Sequence, residues 1–356
     1  MQENLVLGLY LLLLLLSGGL LVLFFRRLSQ QASRNPQRVL RFTQLALGNL
    51  LVLATLLCLG LLAGEVYYRF IYDATDSLDY TKVSVRWFAR HYHMNSWGCR
   101  DTINYANEIA PGRRRVTYVG DSFSAGQGIK DVNDLFAFRL CRDHPEWETH
   151  LVARPALDTG HELDSMASML TNHYQADLVV LVYCLNDIGD LLPEASAAAQ
   201  RVYDDADHCN WFRRNSYFVN TLYNRLSLLW NSDLKAYNHL LIDSYRGPAW
   251  QKQRERLRAF RDLVQSHGGR FVVVTFPFFD TLGPDYPWQF VHDQLGQCWR
   301  ELGVPHLDLL PVYHGLPPRK LMVNRSDSHP NEYAHALAAQ AMGPFLKQQM
   351  DAAPRR

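Results

Sequence analysis

The chain has 356 residues, enough for one or two domains, and its 36 Lys and Arg against 35 Asp and Glu leave a formal net charge of +1. That balance excludes the basic field expected of a nucleic-acid-binding protein, and six cysteines without Cys-x-x-Cys spacing or a Cys/His cluster give no zinc module. No nucleic acid, metal or cofactor is expected as a partner.

The apolar residues are unevenly spread. Leu5 to Phe25 is apolar apart from Tyr10, Ser17 and glycines, and the only strongly polar residues inside Phe42 to Gly64 are Gln44 and Asn49. Each run meets the ~20 residues needed to cross a bilayer, and neither has the polar face of a buried core helix. Gln44, Asn49, Gly48 and Gly60 could face another helix. Between the runs lie Arg26, Arg27, Arg34, Arg38 and Arg41 with no acidic residue. The positive-inside rule makes that loop, at about 26–41, cytoplasmic, and the charge follows the first run, unlike a cleaved signal peptide. Residues 1–70 are therefore read as two transmembrane helices in a two-pass arrangement, with the C-terminal part outside the cytoplasm. Residues 71–112 form a lead-in, and the aromatic and basic residues of Glu65 to Asn107, including Tyr67-Tyr68-Arg69 and Trp87-Phe88-Ala89-Arg90, suit the bilayer interface. Residues 113–356 form one extracytoplasmic domain.

In that domain an alternating apolar strand, Arg115 to Val119, ends in Gly120-Asp121-Ser122, a tight turn at a helix start. A helix is predicted over Asp134 to Cys141, a strand over Glu148 to Ala153, a helix over Glu162 to Tyr174 and an apolar strand over Asp177 to Tyr183. Residues 191–246 break the pattern. They hold an Ala-rich stretch and an aromatic helix, Ser216 to Trp230, and read as an insertion forming a lid or packing helices. A charged amphipathic helix, Trp250 to His267, stops at Gly268-Gly269. Strands at Arg270 to Phe276 and Val304 to Leu310 and a closing helix, Glu332 to Met350, complete the chain. Alternating strands and helices predict an α/β fold, a three-layer α/β/α sandwich on a central parallel sheet.

Three motifs fall where such a sheet presents its ligand-binding edge: Gly120-Asp121-Ser122, Cys184-Leu185-Asn186-Asp187, and Asp327-Ser328-His329-Pro330-Asn331. Each has an ordinary alternative: Ser122 as a helix cap, Asn186 as a turn residue, His329 as one of 14 histidines. Together they supply a nucleophile, a side-chain amide donor, a base and the acid that orients it, the parts needed for acyl transfer.

VTYVGDSFSAGQG, VLVYCLNDIGD and SDSHPNEYAHALAAQ, in this order, resemble motifs of the SGNH (GDSL-type) hydrolase superfamily over about Arg115 to Met350. The resemblance implies a flavodoxin-like fold with Ser122 as nucleophile. It makes His329 the base and then the acid, oriented by Asp327, and places the Ser122 N–H and the Asn186 amide in the oxyanion hole. The chain departs from the pattern in three places. The motif that supplies a glycine N–H reads Ala153-Arg154-Pro155-Ala156-Leu157-Asp158-Thr159-Gly160, leaving Ala156 and Gly160 as candidates. Cys184 replaces a glycine and either narrows the site or fills core. Ser326, not an aspartate, stands three residues before His329, so the acid falls to Asp327, two before it.

The resemblance and the apolar runs imply a membrane-anchored serine esterase or O-acyltransferase. Its substrate would be an ester of a cell-envelope glycan or lipid, on the periplasmic side of a bacterial inner membrane. It would need no cofactor, and an acyl-donating integral membrane protein is an expected partner. Two alternatives stand beside this: a non-catalytic SGNH-like glycan-binding or scaffolding subunit, and a lipase or thioesterase whose acyl groove uses Phe278, Phe279, Trp288 and the aromatics near Trp230.

Overall fold

The computed structural model describes residues 2–35, 39–77 and 79–353. In chain order it begins with α1 (Gln2–Arg34), α2 (Phe42–Val66), a π-turn at Tyr67–Ile71 and α3 (Lys82–His91). There follow β1 (Arg114–Gly120), α4 (Ser122–Ala125), α5 (Phe136–Asp143), β2 (Trp147–Ala153), α6 (Thr159–Thr171) and β3 (Leu178–Tyr183). Residues 193–244 are helical, as α7 (Pro193–Asp207), α8 (Trp211–Asn215), α9 (Tyr217–Trp230) and α10 (Ser232–Ser244). The last part carries α11 (Pro248–Ser266), β4 (Arg270–Thr275), α12 (Gln289–Glu301) and β5 (His306–Asp308). It closes with α13 (Leu310–Tyr313), α14 (Pro318–Leu321), β6 (Met322–Asn324), β7 (Asp327–Pro330) and α15 (Glu332–Asp351).

The chain divides into two units, of which the first comprises residues 1–73, 81–83 and 205–230. Its α1 and α2 are both long and apolar enough to cross a membrane, and leucines such as Leu15 and Leu50 are more than 60% exposed. At 33 residues, α1 is about 50 Å long against a hydrocarbon core of about 30 Å, so its polar end extends beyond the apolar run. This corrects the expected loop at 26–41: Arg26, Arg27 and Arg34 lie on the helix, because arginine, leucine and glutamine are good helix formers once the apolar residues stop. Arg38 lies outside the described residues. Gly48 packs under Phe24 of α1, where a Cβ would come within 2.9 Å of the ring, whereas Gly60 has open space around it. Glu65, fully buried, takes a hydrogen bond from Ser216 Oγ (2.7 Å) and from the Tyr217 and Phe218 N–H groups (3.2 and 3.1 Å), a carboxylate cap on the start of α9. The predicted insertion is thus split, its aromatic helix belonging with the apolar helices.

The second unit comprises residues 74–80, 84–204 and 231–356 and is built on a five-stranded parallel sheet of order β2-β1-β3-β4-β5. The β-branched strands alternate cleanly. Val180 of β3 and Val272 and Val274 of β4 face Tyr118, Phe136 and Met342 of one core, while Val179, Leu181 and Val273 face Met166, Leu257 and Trp299 of the other. Helices therefore cover both faces, the three-layer α/β/α sandwich expected for an apolar parallel sheet. The predicted strand at 304–310 shortens to the three residues of β5. Residues 74–107 are not simply an interface anchor: Trp87 is fully buried and Arg100 is 1% exposed. All six cysteines are free.

Candidate active site

The three sequence motifs converge at the carboxyl end of β1 and β3. β1 runs into Gly120, where an added Cβ would lie 3.0 Å from the Val182 carbonyl, so only glycine lets the turn pack against β3. Asp121 then caps α4, accepting from the Phe123 N–H at 2.9 Å, and Ser122 opens the helix. Arg100 fixes the far side of the turn. Its guanidinium donates to the carbonyls of Ala125 (3.0 Å), Gly126 (2.6 Å), Ile129 and His91 (3.3 Å), and burial lowers its pKa only to about 10, leaving it charged at neutral pH.

Ser122 Oγ is 2.8 Å from His329 Nε2, and His329 Nδ1 is 2.5 Å from Asp327 Oδ1. Ser122 and His329 each keep 8% of their surface exposed, whereas Asp327 keeps 1%. This is a continuous serine–histidine–aspartate relay in which Ser122 and His329 are still reachable, an arrangement with the geometry nucleophilic catalysis requires. The Asp/His motif does not follow a strand of the main sheet, as its position before the last helix suggested. It lies on β7, the second strand of a short antiparallel ribbon with β6, and α15 begins at its end under an Asn331 cap. The ribbon places Asp327 and His329, two apart, so that the His329 N–H also donates to Asp327 Oδ1 (3.1 Å).

Burial disfavours charge on His329, but the Asp327 carboxylate, with Asp79 and Asp121 beyond it, outweighs burial and raises its pKa above the ordinary imidazole value. Burial likewise opposes charge on Asp327, and His329 and the Thr75 hydroxyl overcome it, holding its pKa below the usual carboxylate value. Asp79 is pushed up to about 6, first by burial, with Asp327 adding to the rise and His329 opposing it.

Thr75, Asp79 and Arg100 were not legible in the sequence. Thr75 Oγ1 donates to Asp327 Oδ2, and the segment around it is stitched to the ribbon. The Ser77 N–H donates to the Ser326 carbonyl (2.8 Å), the Ser328 N–H to Ser77 Oγ (3.1 Å) and Asn324 Nδ2 to the Thr75 carbonyl (2.8 Å). The only sequence signal was the polar run from Asp73 to Thr81, eight residues beyond the second apolar segment.

Asn186 sits in the turn after β3, shaped by Asp187, whose Oδ2 accepts from the Cys184 N–H at 2.9 Å. Asn186 Nδ2 lies 3.4 Å from Asp121 Oδ2, so the first and second motifs are tied through one buried carboxylate, which burial raises in pKa. Of the two backbone candidates, Ala156 lies in the turn that leaves β2 beside Gly120, is exposed, and has φ +61°, the left-handed conformation a glycine adopts freely. Gly160 is the second residue of α6, and a Cβ there would lie 3.3 Å from both Arg256 Nη2 and Asp190 Oδ2, which form an ion pair. That position is built for packing. Cys184 is fully buried and fills core. Phe279 and Trp288 are buried, whereas Phe278 is half-buried, with ring centroids 5.0 Å from Trp288 and 6.3 Å from Phe123; Trp230 belongs to the other unit. Phe123 lies against the His329 ring, centroids 5.4 Å apart. Among the described residues no group of His, Cys, Asp and Glu is arranged to hold a metal ion.

No family model and no curated protein sequence matches the chain. Among solved structures it is similar to TesA, at 14% identity over 66% of this chain and 99% of that one, with a TM-score of 0.42. It is also similar to the extracellular lipase of Streptomyces rimosus (13% identity, 66% and 99% covered, TM-score 0.40). A third is the psychrotrophic esterase EstA of Pseudoalteromonas sp., solved with monoethylphosphonate bound as inhibitor (15% identity, 67% and 99% covered, TM-score 0.41).

Proposed function

We propose that the chain is a membrane-anchored serine esterase or O-acyltransferase that works through an acyl-enzyme on Ser122. The observation that carries this reading is the unbroken relay from Ser122 Oγ through His329 to Asp327 in a site that remains partly open. His329 Nε2 takes the Ser122 proton as Oγ attacks an ester carbonyl, and the developing oxyanion is met by the Ser122 N–H, the Asn186 amide and the Ala156 N–H. His329 returns the proton to the departing alcohol, leaving the acyl group on Ser122. Water or a second hydroxyl, deprotonated by His329 in turn, then removes the acyl group as an acid or a new ester.

The apolar helices and the arginines that follow the first apolar run support a two-pass anchor with this domain outside the cytoplasm, on the periplasmic side of a bacterial inner membrane. A cell-envelope glycan or lipid ester is the substrate this location offers, and an acyl-donating membrane protein would be the partner for transfer. The test is treatment of the full chain in detergent micelles with a fluorophosphonate, with Ser122→Ala alongside. One adduct, absent from the variant, is expected. A folded wild type that takes no adduct refutes the activated serine and favours a non-catalytic scaffold.

A further inference from the structure

Beside the edge strand β2, on the α6 side, is a cleft of about 680 Å³ that the relay does not use. Its size is that of a small-molecule site, for which about 300–1,000 Å³ is usual. The β2–α6 turn contributes Arg154 and Leu157 to the cleft and carries Ala156 between them. The ester site and the cleft thus share one turn.

The lining is mixed in a way that suits one class of ligand. Trp97 supplies an aromatic face, and Val152 and Met169 an apolar floor. Asp164, Ser165, Ser168 and Asn172 from α6 and its end supply hydrogen-bonding groups opposite. An acyl chain would be served by a continuous apolar wall. A sugar ring, with an apolar face and a polar rim, matches an aromatic face opposed by hydroxyls, amides and a carboxylate.

The platform is held rigidly. Asn95 Oδ1 accepts from the Trp97 and Cys99 N–H groups (2.9 and 3.1 Å), and Gly98 turns the loop at φ +71°. The Trp97 ring is backed by Tyr105 and Tyr174, with centroids 6.0 and 5.7 Å away. Tyr105 is itself tied to Asp101 (2.8 Å) and the Leu151 carbonyl, and Tyr174 to Thr117 (2.8 Å) and His150 (2.7 Å). Such preorganisation lowers the ordering cost of binding. Arg154 adds charge. Its guanidinium is exposed at the cleft and makes no hydrogen bond or ion pair among the described residues, whereas the buried or half-buried Arg100, Arg115 and Arg256 are engaged.

We infer that this cleft is a saccharide subsite for an anionic sugar residue, the ring stacked on Trp97 and its carboxylate paired with Arg154. The assignment rests on the esterase or acyltransferase reading for its part in the reaction: it would hold the glycan whose ester, or whose accepting hydroxyl, reaches Ser122.

The test is calorimetric titration of the full chain in detergent micelles with trigalacturonate and, separately, with neutral maltotriose. p-Nitrophenyl acetate turnover is followed on the same samples. Saturable trigalacturonate binding is expected, weakened by about tenfold or more in Arg154→Gln, the loss typical of a charge-assisted bond. Maltotriose binding should change by less than about twofold in that variant, since it has no carboxylate to lose. Ser168→Trp, a change at an exposed helix position that fills the cleft, should abolish both. Absence of trigalacturonate binding, equal loss of both sugars in Arg154→Gln, or undiminished binding in Ser168→Trp overturns the subsite. Turnover intact with no binding refutes the cleft alone, and binding intact with no turnover refutes its role in an acyl-enzyme reaction alone.

Discussion

Replacing Thr75 by valine removes one hydroxyl and keeps the shape of the side chain. In the structure that hydroxyl is the donor to Asp327 Oδ2, while the His329 ring and the His329 backbone N–H both engage Oδ1. Asp327 is 1% exposed, so water cannot readily replace the lost donor. An unsatisfied oxygen on a buried group costs about 1–3 kcal/mol. Part of that cost is met by rotation of the carboxylate, which carries His329 Nδ1 with it and misdirects Nε2 from Ser122 Oγ. If about 1–2 kcal/mol reaches the transition state, kcat/KM falls about 5- to 30-fold, at about 1.4 kcal/mol per tenfold. The assay is p-nitrophenyl acetate turnover, with active sites counted by fluorophosphonate titration, and Thr75→Ser as the variant that restores the donor. A Thr75→Val enzyme with a full site count and kcat/KM within about twofold of wild type would refute the claim that Thr75 positions the acid.

Three other outcomes follow from the same geometry. His329 must be neutral to act as base, and its raised pKa means that kcat/KM falls as pH drops through a midpoint above the ordinary ~6.5 of imidazole. Because Asp327, Asp79 and Asp121 all favour its charged form, Asp79→Asn should move that midpoint to lower pH, and an unmoved or raised midpoint would exclude the interaction. Asn186→Ala should reduce kcat by about 10²–10³, the usual loss of one oxyanion donor, with labelling of Ser122 retained; full turnover would remove Asn186 from the hole. Arg100→Met should destabilise the fold by on the order of 3 kcal/mol, since the Ala125, Gly126 and Ile129 carbonyls lose a buried donor. In a thermal melt that is a drop of about 6–12 °C for a unit of this size.

The sheet was legible because a parallel strand covered on both faces must be apolar at every position. Leu178–Tyr183 and Arg270–Thr275 show this with hardly a polar interruption. The three motifs were legible because each chemistry-bearing residue follows a strand or precedes a helix in one short segment. What could not be read is what joins distant parts of the chain. Thr75 meets Asp327 across 252 residues, and no local pattern marks a threonine as the partner of an aspartate. Arg100 carried no mark either, because its carbonyl acceptors are backbone groups with no sequence signature. The β6–β7 ribbon escaped because strands of three and four residues hold too few positions for a period to show. Between Ala156 and Gly160 composition favours the glycine, whereas the positive φ, which only the backbone shows, falls on the alanine.

The central claim is that Ser122 carries the acyl group between donor and acceptor. The most direct measurement is rapid acid quench of the full chain in detergent micelles during p-nitrophenyl acetate turnover, followed by mass analysis of the peptides. An acetyl group on the peptide containing Ser122, formed within the first turnover and missing from Ser122→Ala and His329→Ala, is the predicted result. Acetate release at the wild-type rate from Ser122→Ala, or acetyl found on another residue with Ser122 unmodified, would contradict it.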